Sequence, residues 1–225
     1  MNTEETLQKH WPELRKRLQA KCLLATDDAS LSLRIPGSDA MWFGLASDII
    51  PRRVSWRTAS RDTEVGEVSE VGEVSEVTEV HAAVYAARAD VGAIGLGGGA
   101  FGCCLADFGG TMPQVFDEQA RHLGPMGPAA ASAGEAVASL RDGGNVLLVQ
   151  GRPICLGMTA MRLALNLELF EKCAKAYVLS VAGGGRVRAL PWIVRLVANR
   201  RLAKDGQRAA KRFLQGQLPE ESKGY

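Results

Sequence analysis

The sequence predicts an α/β domain, and three stretches carry that reading. Leu7, Trp11, Leu14 and Leu18 recur at helical spacing, and Ser30-Leu31-Ser32-Leu33-Arg34-Ile35 alternates with the period of a strand. Further on, a helix ending near Arg88 feeds a short apolar strand from Val91 to Ile94. With 225 residues, 46% of them hydrophobic, the chain can bury one well-cored domain and is too short for two of ordinary size.

Taken in order, Thr3 to Lys21 reads as an amphipathic helix in which Pro12 demands a place near the first turn or a kink. The strand at Ser30 to Ile35 closes at Pro36-Gly37-Ser38-Asp39, and Ala40 to Leu45 resumes as its hairpin partner. Residues 64–80 repeat a Glu-Val-Gly or Glu-Val-Ser/Thr triplet; a period of three fits neither helix nor strand, so most of it reads as an acidic loop. Only the last copies enter a helix, with Ser75 or Thr78 as N-cap. After the strand to Ile94 come the glycines from Gly95 to Gly99, the segment Phe101 to Phe108 and a turn at Gly109-Gly110. Ala129 to Leu140 reads as a helix, Asn145 to Gln150 and Ile154 to Leu156 as buried strands, and Ala160 to Val181 as a long helix. In that helix Glu168/Lys172 and Glu171/Lys175 have favourable i,i+4 spacing, and Gly183-Gly184-Gly185 ends it. Pro191 opens a basic helix to about Leu202, with a further basic helix after Asp205-Gly206.

The formal charge of +2 gives no argument for nucleic acid, but its distribution is uneven. Between Arg186 and Arg212 nine basic residues face one acid, Asp205. The basic tail sets residues 186–225 apart as an extension of a domain spanning residues 1–185. Five cysteines, odd in number and without paired metal-ligand spacing, read as reduced thiols of the cytoplasm. No run approaches the length of a membrane span, and the N-terminus lacks the apolar core of a signal peptide.

His81, Tyr85, Arg88, Asp90 and Val91 form H-x-x-x-Y-x-x-R-x-D-V before the apolar strand. Val146 to Gly157 contains V-L-L-x-x-G followed by a second apolar strand and Gly, and the long helix from Ala160 is rich in Glu and Ala. In this order the three features resemble the class II aldolase/adducin family, of the fuculose-phosphate-aldolase type, over roughly residues 5 to 182. The resemblance implies a three-layer α/β/α domain around a largely antiparallel sheet, assembled as a homo-oligomer, with the tetramer common in the family. It also implies a divalent metal held by three histidines, whose open position polarises a carbonyl. Alignment on Asp90-Val91 and on Gly151 puts those ligands at Leu96, Gly98 and Gln150, none of which is histidine. No cofactor is therefore expected, and a divalent metal enters only if that alignment is shifted.

The family's general base would fall at Val77, between Glu76 and Glu79, and Glu76 is the better candidate. The phosphate-binding segment would fall near Ala29 to Ser32, leaving Ser32 and, further on, Ser47 as substrate contacts with Gly98. Asp117 to His122 concentrates titratable groups, and a helical turn there would put Glu118 and His122 on one face, with Asp117 as a further contact. Gly97 to Gly102 also matches G-x-G-x-x-G, which would bind a dinucleotide only if a helix starts in the glycines and packs on a parallel strand.

The leading expectation is a metal-free, oligomeric, cytoplasmic protein of aldolase-like fold that binds a small carbonyl or sugar-acid metabolite or serves in assembly. The alternative is an active carbon–carbon lyase or isomerase with Glu76, His122 and Gln150 as catalytic residues. A third reading has the basic C-terminal helices binding an anionic surface.

Overall fold

The computed structural model describes residues 3–59 and 76–221. Residues 64–75, which hold most of the triplet repeat, lie outside them. One sheet organises the chain, built from β1 (Ser30–Arg34), β2 (Ala40–Leu45), β3 (Arg52–Ser55), β4 (Ala93–Leu96), β5 (Val146–Val149) and β6 (Arg152–Gly157). Its order is β3-β2-β1-β4-β6-β5, and every neighbouring pair is antiparallel.

Alternation sorts the strand side chains to two faces, and helices cover both. Leu31, Leu33, Trp42, Leu148 and Cys155 join the core under α1 (Thr3–Ala20) and α7 (Ala160–Ala182), with Leu14, Leu18, Leu167 and Phe170 as helix partners. Met41, Phe43, Ile94, Leu96 and Leu156 join a second core under α3 (Glu76–Ala87) and α6 (Ala133–Ser139), with Val80, Val84, Tyr85 and Ala136. The three-layer α/β/α architecture with an antiparallel sheet is thus present. Burial on both faces is why even the serines of β1 are inside.

Several elements differ from the sequence reading, each for a physical reason. Pro12 sits inside α1 on its solvent-exposed side, beside the fully buried Trp11, so water can take the carbonyl left without its helical donor. β3, followed by the single turn α2 (Trp56–Ala59), was not legible because Arg52 and Arg53 are exposed at a sheet edge. The helix expected from Ala129 begins only at Ala133. Ser132 Oγ accepts from the Glu135 N–H at 3.3 Å, Glu135 returns a bond to the Ala131 N–H at 2.8 Å, and Ala130 instead bridges to β5. The two expected basic helices are one, α8 (Trp192–Leu214), which runs through Asp205-Gly206. Gly206 is the point of close approach, since a Cβ there would stand 3.0 Å from Asp90 Oδ2.

The motif that carries the resemblance is a set of clamps. Arg88 forks onto both Asp90 oxygens at 2.8 Å and donates to the carbonyls of Leu140 and Gly144, tying the end of α3 to the loop before β5. Burial raises the Asp90 carboxyl, but the Arg88 fork and Arg34 outweigh that and hold it below its ordinary range. Arg34 of β1 donates to the carbonyls of Tyr85, Arg88 and Ala89 where α3 ends, and lies over the rings of Trp56, Tyr85 and Phe213 at 5.0 to 5.3 Å.

Candidate functional site

β4 runs into the glycines, and the β5–β6 hairpin turns beside them. The Gly97 N–H donates to Pro153 O at 2.9 Å, which lays Gly98 against the ring of Pro153. At φ +62° only glycine sits there easily, and a Cβ would come within 2.5 Å of Pro153 Cγ. The turn itself is Gln150-Gly151, with positive φ at both positions (51° and 77°), as a two-residue hairpin turn of type I′ requires. Gln150 is positioned further by its N–H, which donates to Ala130 O at 2.8 Å.

Around this turn four polar side chains from three parts of the chain converge. The Gln150 amide donates to Glu76 Oε1 at 2.5 Å, at the first turn of α3, and its Oε1 accepts from Arg152 Nη2 at 2.7 Å. Arg152 is in turn ion-paired through Nη1 with Asp28. Glu76 and Gln150, two of the expected catalytic residues, are therefore neighbours. Asp28 was missed because nothing in sequence links it to the turn, and Arg152, although it directly follows the turn, because its pairing with Asp28 is not visible in sequence.

A divalent metal does not fit this arrangement. Leu96 points into the apolar core with no exposed surface, Pro153 fills the space beside Gly98, and both ends of the Gln150 amide are engaged. The Arg152 guanidinium adds a positive charge beside Gln150, one of the three expected ligand positions, which disfavours a dication there. Among the described residues no group of three His, Cys, Asp or Glu side chains could hold a metal ion.

Other expected site residues lie apart from this cluster. Ser32 is fully buried, its Oγ 2.7 Å from His81 Nδ1 and 3.0 Å from the Tyr85 hydroxyl, while Ser30 Oγ meets His81 Nε2 at 3.0 Å. With Ser32 donating to Tyr85, His81 Nδ1–H donates to Ser32 and Nε2 accepts from Ser30. Burial pushes the His81 pKa down to about 3, so the ring is neutral. Ser47 is exposed in the turn after β2.

Asp117 and His122 bound the short helix α5 (Asp117–His122), which packs between α7 and α8. As expected, Glu118 and His122 face one pocket, a cavity of about 210 Å³ that Arg162 and Asn166 of α7 also line. Arg162 Nη1 lies 3.1 Å from His122 Nδ1; burial and the charges of Arg162 and Arg121 lower the His122 pKa to about 4. That arrangement keeps the His122 ring neutral at physiological pH.

The charged residues of α7 pair across the fold and not along the helix. Glu168 binds Arg17 at 2.7 Å and Lys21 at 2.8 Å, and Lys172 meets Glu118 at 3.4 Å. Glu171 accepts the N–H groups of Phe101 (2.8 Å) and Gly102 (2.9 Å) at the start of α4 (Ala100–Cys104). This contact also disposes of dinucleotide binding: the amides a pyrophosphate would use are taken by a carboxylate, and β4 has antiparallel neighbours only. Of the thiols, burial raises the Cys103 and Cys155 pKa values and takes Cys173 to about 12, so none of these is an activated nucleophile.

No protein-family model matches the chain, and no curated protein matches it either. Solved structures do. An L-fuculose 1-phosphate aldolase from Glaciozyma antarctica PI12 superposes with a TM-score of 0.67 at 17% identity, covering 94% of this chain and 88% of its own. YgbL of Klebsiella pneumoniae, a putative aldolase/epimerase/decarboxylase, gives a TM-score of 0.67 at 19% identity over 87% of this chain and 99% of its own. The L-fuculose-1-phosphate aldolase of Thermus thermophilus gives 0.61 at 16% identity over 82% and 98%. With the strand order and both helical layers, these likenesses establish that the chain has the fold of the class II aldolases.

Proposed function

We propose that this chain derives from a metal-dependent class II aldolase, has lost that chemistry, and acts as a homo-oligomeric protein that binds a small metabolite or serves in assembly. The observation that carries the reading is the cluster of Asp28, Arg152, Gln150 and Glu76. It includes Gln150, one of the three positions where the resemblance calls for a metal-binding imidazole, and it sets a guanidinium against that amide. The fully buried Ser32, held by His81 and Tyr85, supports the same reading, because a serine enclosed in that way has no surface to offer a phosphate.

A second reading, a metal-free carbon–carbon lyase or isomerase, draws on one feature of the cluster. Glu76 is an exposed carboxylate that accepts from the Gln150 amide, which is itself bonded to the Arg152 guanidinium, so a base lies near groups that can stabilise an oxyanion.

The experiment that separates the readings starts with protein purified without chelators or a histidine tag. Elemental analysis is expected to find no stoichiometric divalent metal, chelator to leave the thermal midpoint unchanged, and L-fuculose 1-phosphate to remain uncleaved. A stoichiometric metal lost together with stability would overturn the proposal. Metal-independent cleavage abolished by Glu76→Gln would establish the second reading instead. Light scattering is expected to give a homo-oligomer, a tetramer on the family's pattern.

A further inference from the structure

α8 carries two stripes on opposite sides. Leu202, Gly206, Ala209 and Phe213 form the buried one. Ile193, Val197, Arg200, Lys204, Arg208 and Lys211 form the other, at steps of three and four residues, and every one is exposed. At about 1.5 Å per residue this outer stripe is roughly 27 Å long. The helix's single acid, Asp205, is held by Arg121 and by Arg208. The outer stripe is therefore cationic over its last four positions and apolar over its first two.

The apolar end is wider than the stripe itself. Trp192 is 67% exposed, Ile193 54%, Leu196 37% and Val197 47%, all in the first two turns. Water is a poor environment for four such side chains together, and burying them would be favourable. A nucleic acid would meet the cations and leave these side chains wet. A second copy of the chain, set face to face, would bring cations onto cations.

An anionic lipid surface accepts both parts, with headgroups against Arg200, Lys204 and Lys211 and the interfacial layer around Trp192 and Ile193. We propose that the outer face of α8 docks the protein on anionic lipid bilayers. The docking is peripheral, since among the described residues no helix is long and apolar enough to cross a membrane. It is independent of whether any aldolase chemistry remains.

The chain carries its own probe. Trp11, Trp42 and Trp56 are at most 9% exposed, so a change in indole emission on binding reports Trp192. The unaltered full chain would be mixed with vesicles of phosphatidylcholine alone and of phosphatidylcholine with phosphatidylglycerol. Binding is expected only to the anionic vesicles, weakening at least tenfold when salt is raised to shorten the Debye length to about 3 Å. A blue shift that Trp192→Phe removes should accompany it.

The combined change Arg200→Glu, Lys204→Glu and Lys211→Glu is expected to weaken partitioning on the order of 100-fold, with circular dichroism unchanged. If that variant does not fold, the salt titration and the Trp192 shift of the unaltered chain decide alone. Absence of binding to anionic vesicles at low salt overturns the proposal, as does equal binding to neutral vesicles. Displacement by single-stranded RNA, with no Trp192 shift on vesicles, would assign the face to nucleic acid and overturn it too.

Discussion

At the scale of single residues, the polar groups most suggestive of chemistry are the ones most enclosed. Ser32 lies between His81 and Tyr85, and removing its hydroxyl leaves the imidazole N–H without an acceptor where no water reaches. Ser32→Ala is expected to cost about 1–3 kcal/mol, read from urea unfolding. His81 also sets a pH dependence whose sign is determined by its burial. Its folded pKa of about 3 lies below the ordinary 6.5, so between those values the unfolded chain binds a proton that the folded chain refuses. Stability is complete above about pH 6.5 and falls as the pH drops, by roughly 1.4 kcal/mol per unit from this ring. His122, lowered to about 4, acts in the same direction. Asp90 and Glu168, held below the usual carboxylate range, add nothing in the upper part of that window because they are ionised in both states. Unfolding measured from pH 7 to pH 5 should show this slope, and His81→Phe should flatten it.

At the scale of elements, the glycine run after β4 is a packing device. It lets a strand end, a hairpin and α7 approach one another more closely than side chains allow. A Cβ at Gly98 would meet Pro153, and one at Gly99 would meet the Glu171 carboxylate at 2.6 Å. Gly98→Ala is expected to lower stability by about 1–3 kcal/mol, through positive φ and overpacking together, as a drop in thermal midpoint. From sequence the run reads only as glycines that follow a strand, because glycine itself does not tell which neighbour has moved in. The i,i+4 pairs of α7 mislead for a related reason. Spacing puts Glu168 near Lys172, but it also turns Glu168 toward α1, where Arg17 and Lys21 offer two donors.

At the scale of the molecule, Arg34 ties the end of α3 and the C-terminal helix α8 to the sheet. Its guanidinium gathers three carbonyls at the end of α3 and three rings, one of them Phe213 of α8. Arg34→Met keeps much of the stem's packing but removes those donors from a residue only 8% exposed. It is expected to cost about 2–4 kcal/mol and to raise hydrogen exchange in α8 and at the end of α3 above that elsewhere. A uniform rise across the chain would argue against a local clamp.

The individual helices and strands were legible in the sequence because they rest on periodicity, which is local, whereas the three-layer arrangement was expected only from the family resemblance. Leu7 to Leu18, Ser30 to Ile35 and the segment from His81 to Ile94 each declare their element without reference to the rest of the chain. The edge strand β3, the late start of α6 and the continuity of α8 through Gly206 were decided by partners distant in sequence. The candidate site divides in the same way. Glu76 and Gln150 could be named by alignment to the family the sequence resembles, but Arg152 and Asp28 could not, nor could the enclosure of Ser32. An ion pair or a buried hydroxyl depends on what the sheet brings opposite it, and that is a property of tertiary structure alone.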